Sequence, residues 1–219
     1  MIPNWATERC KMVEVQLRRR GIRDERVLSA MLEIPREEFV PLEWRVAAYG
    51  DAPVTIGYGQ TISQPYMTAL MAESLELQGT ESVLEVGAGC GYAAAVLGAL
   101  AARVVTVEII EPLAKLARGN LRRTGRDGNI TVIAGDGSLG YEASAPYAGI
   151  SVAAGAPEIP AALMEQLADP GLLVIPVGGA EDQELRVGRK QQGRIEWRVA
   201  TYCRFVPLRG GQGWHEGWF

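Results

Sequence analysis

The sequence predicts a doubly wound α/β fold: a mostly parallel sheet with an antiparallel C-terminal edge, preceded by an N-terminal helical segment. Three observations carry that expectation. From Glu81 onward, short β-branched runs alternate with helix-length segments, a rhythm that builds a parallel sheet through right-handed crossovers. A glycine-rich turn, Gly87-x-Gly89-x-Gly91, separates the first such run from the first such helix. Beyond Glu184 one strand pattern follows another directly, with the polar alternation of an exposed antiparallel pair.

Taken in order, Met12 to Arg20 reads as a helix with an apolar face opposite a basic one, and Asp24 as the N-cap of a second helix through Leu32. Pro35 stops that helix, and Phe39-Val40-Pro41 reads as an extended connection. Residues 48–65 are rich in glycine, proline and hydroxyl side chains, which is loop chemistry, with Ser63 near the end. The strand runs are Val83 to Val86, Val104 to Val107, Ile130 to Ile133, Gly149 to Ala153 and Leu172 to Val177. Helices are expected over Tyr92 to Ala102, Glu111 to about Thr124 and Ala161 to Leu167. Glu184 to Arg189 and Arg194 to Phe205 supply the antiparallel edge. The expected organisation is one domain, with a helical and loop cap over 1–66, a core over 67–180, and C-terminal strands and tail over 181–219.

Composition narrows the function. The 219 residues are 47% hydrophobic and 22% charged, as in ordinary globular proteins. Lys and Arg number 22 against 26 Asp and Glu, a net charge of −4, and nucleic-acid binding needs the opposite field. Gly91 to Ala102 is the most apolar stretch, too short for the roughly 20 residues of a membrane span. Residues 1–12 show no export signal, and three scattered cysteines fit a reducing compartment, so the expected address is the cytoplasm. The one histidine, His215, argues against a histidine triad or a two-histidine zinc site, and no metal is expected.

In a doubly wound sheet ligands bind at the carboxyl ends of the strands. There the glycine turn lets backbone approach a ligand closely. Its third glycine comes one residue earlier than in a dinucleotide fingerprint, the spacing associated with S-adenosylmethionine enzymes. Glu108, ending the next strand, can accept from both ribose hydroxyls. Asp136, in Gly135-Asp136-Gly137 after the third strand, can accept from an adenine amine. Glu85 is a carboxylate inside an apolar strand and requires a cation or donor, such as the glycine-loop amides or a ligand amino group.

These residues resemble the protein-L-isoaspartate(D-aspartate) O-methyltransferase family. The resemblance runs through VLSAMLEIPREEFVP (27–41), AYGD (48–51), GQTISQPYM (59–67), VLEVGAGCGYAAAVL (83–97), GDGSLG (135–140), APEIPAALMEQL (156–167), GLLVIPVG (171–178) and RFVPLRGGQGW (204–214). It implies a Rossmann-like class I methyltransferase that moves a methyl group from S-adenosylmethionine to the α-carboxylate of L-isoaspartyl residues. The ester then closes to a succinimide, which begins repair of damaged proteins. Ser63 matches the family's active-site serine, flanked by Thr61 and Ile62 on the substrate side. Gly87, Gly89, Gly91, Glu85, Glu108, Asp136 and Gly137 match its cofactor positions. Damaged proteins and peptides are the implied partners, and a monomer is expected. Where the family often has Thr, Ser and Gln in and after the glycine loop, this chain has Ala88, Cys90 and Ala93, and Ala148 stands where an aspartate is common. Two rivals are a carboxylate methyltransferase acting on a specific peptide aspartate and a non-catalytic S-adenosylmethionine-binding module.

Overall fold

The computed structural model describes residues 3–214. Its first helix, α1 (Trp5–Lys11), starts under Asn4, whose side chain accepts from the Thr7 N–H. The winding then widens to a π turn over Met12–Leu17 and tightens to a 3-10 turn over Arg18–Arg20. The expected Met12–Arg20 helix is thus the second half of a longer run, wound differently. Bonding from i to i+5 in the π turn sets Met12 above Leu17 on one buried face and leaves Val15 outside.

Asp24 caps α2 (Glu25–Glu33) as expected, accepting from the Arg26 and Val27 N–H groups, and Ile34 turns extended before Pro35. The expected extended connection loses Phe39 and keeps Val40 and Pro41. Arg36–Phe39 and Leu42–Ala47 are 3-10 turns on either side of it. Residues 48–65 are also more regular than loop chemistry implied. They hold a hairpin of β1 (Val54–Gly57) and β2 (Gln60–Ile62), closed by Tyr58 and Gly59, both at positive φ. A two-residue hairpin turn of this hand needs that geometry at both positions. Helix α3 (Pro65–Glu73) follows with its proline in the first turn, where no N–H is needed.

The seven-stranded sheet comprises β3 (Ser82–Val86), β4 (Arg103–Glu108), β5 (Ile130–Ala134), β6 (Tyr147–Val152), β7 (Leu167–Gly178), β8 (Gln183–Gln191) and β9 (Arg194–Cys203), in the order β5-β4-β3-β6-β7-β8-β9. Pairing is parallel from β5 through β7 and antiparallel from β7 to β9, so the predicted edge is present. The crossovers include α4 (Tyr92–Leu100), α5 (Glu111–Arg123) and α6 (Ala161–Gln166). Strand order reverses between β3 and β6, which makes the carboxyl end of β3 the ligand position of such a sheet. Both faces are covered. Val83 and Val104 enter one apolar layer, while Leu84, Val86, Val105 and Val107 enter the other, which is why these strands read as continuous apolar runs. No helix among the described residues is long and apolar enough to cross a membrane.

Candidate active site

Gly87, Gly89 and Gly91 all adopt positive φ, at 94°, 53° and 88°. The turn is pinned to its neighbours: Gly87 N–H donates to Val107 O at 2.8 Å, and Asn120 Nδ2 donates to Cys90 O at 2.9 Å. The three glycines do different work. Gly87 and Gly89 line a cavity at the β3 end, whereas Gly91 starts α4 behind it. A Cβ on Gly91 would stand 3.3 Å from Ala117 of α5, so this glycine permits helix packing rather than ligand approach. A Cβ on Gly89 would stand 3.2 Å from Ile56 Cδ1, because the β1–β2 hairpin comes down onto the turn.

Glu108 is buried and lines the same cavity. Its Oε2 accepts from Gly89 N–H at 2.8 Å and its Oε1 from Ile110 N–H at 2.9 Å. Gly137 forms another part of the wall; a Cβ there would collide with Val86 Cγ1 at 2.5 Å. Facing the glycine turn are Thr61, Ile62 and Ser63, with Gln60 beside them. Val206 to Arg209 close the remaining side.

Two expected ligand contacts lie off this cavity. Glu85 is buried, but its partner is neither a cation nor a glycine-loop amide. Thr106 Oγ1 donates to Glu85 Oε2 at 2.5 Å, and Oε1 has no partner among the described residues. Burial, with the Glu108 charge adding to it, pushes its pKa up to about 8. Glu85 sits at the centre of the sheet, paired in register with Thr106 on β4 and Ser151 on β6, one residue short of the cavity wall. Asp136 is likewise occupied: Oδ1 accepts from Ser138 N–H and Oγ, and Oδ2 accepts from Gly211 N–H at 2.7 Å. That carboxylate ties down the C-terminal segment whose residues 206–209 wall the cavity. His215 lies outside the described residues.

Other residues at the site escaped the sequence reading. Tyr92, the first residue of α4, lines the cavity between Phe39, edge-on at 5.6 Å between ring centroids, and the guanidinium of Arg36. Arg36 is fully buried. The available signal was a run of three charged residues, Arg36, Glu37 and Glu38, between Pro35 and the apolar Phe39-Val40, which reads equally well as a solvated turn. Burial pushes the Cys90 thiol up to about 11, so it is protonated at neutral pH.

The sequence profile of the protein-L-isoaspartate(D-aspartate) O-methyltransferase family matches residues 8–213. The chain belongs to that family. Its enzyme class and its S-adenosylmethionine cofactor follow from the membership, as the motifs implied. A protein-L-isoaspartate O-methyltransferase from Koribacter versatilis is 53% identical over 213 residues, 97% of this chain and 96% of that one. One from Methanoregula boonei is 51% identical over 209 residues, 95% and 96% of the two chains. A solved structure of a protein-L-isoaspartate O-methyltransferase superposes with a TM-score of 0.80 at 30% identity, over 93% of this chain and 66% of that one. Another, from Plasmodium falciparum in complex with S-adenosyl-L-homocysteine, gives 0.78 at 28% identity, over 95% and 99%.

Proposed function

We propose that the chain uses Ser63 and its neighbours to hold the α-carboxylate of an L-isoaspartyl residue against a methyl donor seated on the Gly87–Gly89 turn. One observation carries this reading: a single cavity brings Thr61, Ile62 and Ser63 opposite Gly87, Gly89 and Glu108. It also meets a second, outer groove through Thr61, Ser63, Ala153, Val206 and Pro207.

The residues present fit S-adenosylmethionine. Gly87 and Gly89 present bare backbone to the cavity in a positive-φ turn that side chains rarely adopt, and Gly137 brings its backbone to the wall because a Cβ there would meet Val86. Each Glu108 oxygen takes one backbone N–H and keeps a lone pair for a ribose hydroxyl. When bound, S-adenosylmethionine supplies a methyl group activated by a sulfonium centre. The chain's own task is then to bind, orient and keep water away. A carboxylate with a pKa of about 4 is already ionised at neutral pH and needs no general base. The Ser63 and Thr61 hydroxyls are donors placed on this wall to orient it. In the outer groove, Arg20 lies 3.7 Å over the Tyr66 ring, with Tyr202 and Arg204 also lining the groove. Aromatic faces and cations of this kind suit the flanks of a peptide. We place the protein in the cytoplasm as a monomer; its three cysteines, Cys10, Cys90 and Cys203, are free thiols, in keeping with a reducing compartment.

The decisive experiment is transfer of labelled methyl to two peptides differing only in an isoaspartyl or a normal aspartyl residue. The isoaspartyl peptide is expected to be methylated and its partner essentially untouched, since the isomer shifts the backbone by one methylene and offers a free α-carboxylate. A misplacement of about 1 Å can cost around a hundredfold. Equal rates, or activity on the aspartyl peptide alone, would overturn the substrate assignment.

A further inference from the structure

Arg36 has no exposed surface, and no carboxylate pairs with it among the described residues; its electrostatic neighbours are Tyr92, Cys90 and Tyr49. Its Nε donates to Ala48 O at 2.7 Å and its Nη2 to Ser63 O at 2.7 Å, while Nη1 has no partner among the described residues. Its Cζ lies 4.8 Å from the centre of the Tyr92 ring. Burying a cation without a counter-ion costs several kcal/mol, and an apolar side chain of similar volume would fill the space more cheaply. What a guanidinium adds is a rigid planar fork that donates in fixed directions and stacks on an aromatic face. Here the fork reaches three segments: the turn ending at Ala48, the strand end at Ser63, and the start of α4 directly behind the glycine turn.

We infer that Arg36 is a positioning residue for methyl transfer, tying the Ser63 carbonyl and the Ala48 turn to the Tyr92 ring so that Ser63 stays in register with the glycine turn. Ile62 before Ser63 is buried and Gln64 after it reaches Asp51, but the side-chain bond to the Ser63 carbonyl comes from Arg36. β2 is three residues long, and Ser63 lies just beyond its end. The inference rests on the reading of Ser63 as the residue that orients the substrate carboxylate.

The test compares Arg36→Met, Arg36→Lys and Ser63→Ala with the parent protein, reading kcat, the peptide KM, S-adenosylhomocysteine affinity by calorimetry, and Tm. Arg36→Met is expected to lower kcat by about ten- to a hundredfold, the scale of an ångström-sized misplacement. S-adenosylhomocysteine affinity should stay within about twofold, because the cofactor wall is held by other bonds. Arg36→Lys, which keeps the charge but cannot reach both carbonyls as a fork, should fall between. In a Ser63→Ala background the further kcat loss from Arg36→Met should shrink, since the two act on one step. A merely structural Arg36 would instead lower Tm and leave the kcat of the folded fraction unchanged, and that result overturns the inference. So does a kcat loss matched by an equal loss of S-adenosylhomocysteine affinity. If Arg36→Met does not fold, Arg36→Lys carries the same comparison. A Ser63→Ala protein with full turnover would remove Ser63 from the site; the inference would fall with it, by a result separate from the Arg36 variants.

Discussion

The glycine wall of the cavity and the serine wall opposite are held by different means. The first is fastened mainly by the sheet: main-chain bonds run from Gly87 N–H to Val107 O and from Ala153 N–H to Val86 O, and one strand-end carboxylate, Glu108, takes the Gly89 and Ile110 N–H groups. The second hangs on side chains that reach across the cap. Arg36 grips Ser63 and Ala48, Gln16 Nε2 donates to Tyr49 O at 2.7 Å, and Arg9, Glu37 and the Tyr49 hydroxyl form one bonded cluster. The glycine wall is thus set mainly by the backbone, whereas the wall proposed to place the substrate depends on a few long side chains. Mutations should therefore separate the two: changes on the serine wall should appear in turnover, and changes on the glycine wall in cofactor affinity.

The largest effect expected is on the serine wall. Ser63→Ala should lower turnover by about ten- to a thousandfold while S-adenosylhomocysteine affinity stays within about twofold, because a contact made mainly in the transition state registers in rate and not in ground-state binding. Steady-state kinetics beside calorimetry would check it. Equal losses in both would erase the contrast between the walls. The pH–rate profile of the parent should lack a step near 6.5, since no histidine is needed to activate a carboxylate.

The converse belongs to the glycine wall. Glu108→Ala removes the acceptor of two backbone N–H groups and of the proposed ribose contacts. It should weaken S-adenosylhomocysteine binding by about 1.5–3 kcal/mol, the scale of hydrogen bonds to a charged group, roughly ten- to a hundredfold in Kd. Turnover at saturating cofactor should change less than it does in Ser63→Ala. A variant that binds normally would show that the carboxylate serves only to set the turn.

The same contrast explains what the sequence could reveal. Gly87 and Glu108 were legible because the β-branched runs around them set both the strand ends and the loop, and backbone function leaves a glycine signature. The hairpin at 54–62 was not, because Tyr58 adopts positive φ where Asn or Gly is the usual signal, so the stretch read as loop. Arg36 was hidden for a deeper reason. Nothing local distinguishes an arginine that will be buried under Tyr92 from one left in water; the distinction arises from contacts with residues distant in the chain. Asp136 shows the reverse case, a motif residue placed correctly at the strand end whose carboxylate serves a loop some 75 positions further on.

The smallest effect expected concerns Glu85, and it tests whether the glycine wall's acidic position is a ligand or a piece of the sheet. Burial raises its pKa to about 8 from an ordinary 4.5. Between those values the folded state holds a proton that the unfolded state has released. Stability must then fall as pH rises through that window, the opposite of a salt-bridged carboxylate. Glu85→Gln keeps an acceptor for the Thr106 hydroxyl and cannot ionise. The variant should match the parent's Tm near pH 5 and exceed it near pH 8, as thermal unfolding at the two values would show. S-adenosylhomocysteine affinity should change little, because Glu85 does not line the cavity. A Tm difference independent of pH would mean the carboxyl does not titrate between the two states. A large loss of affinity at unchanged Tm would instead return Glu85 to the ligand, and the glycine wall would then use a second carboxylate beside Glu108.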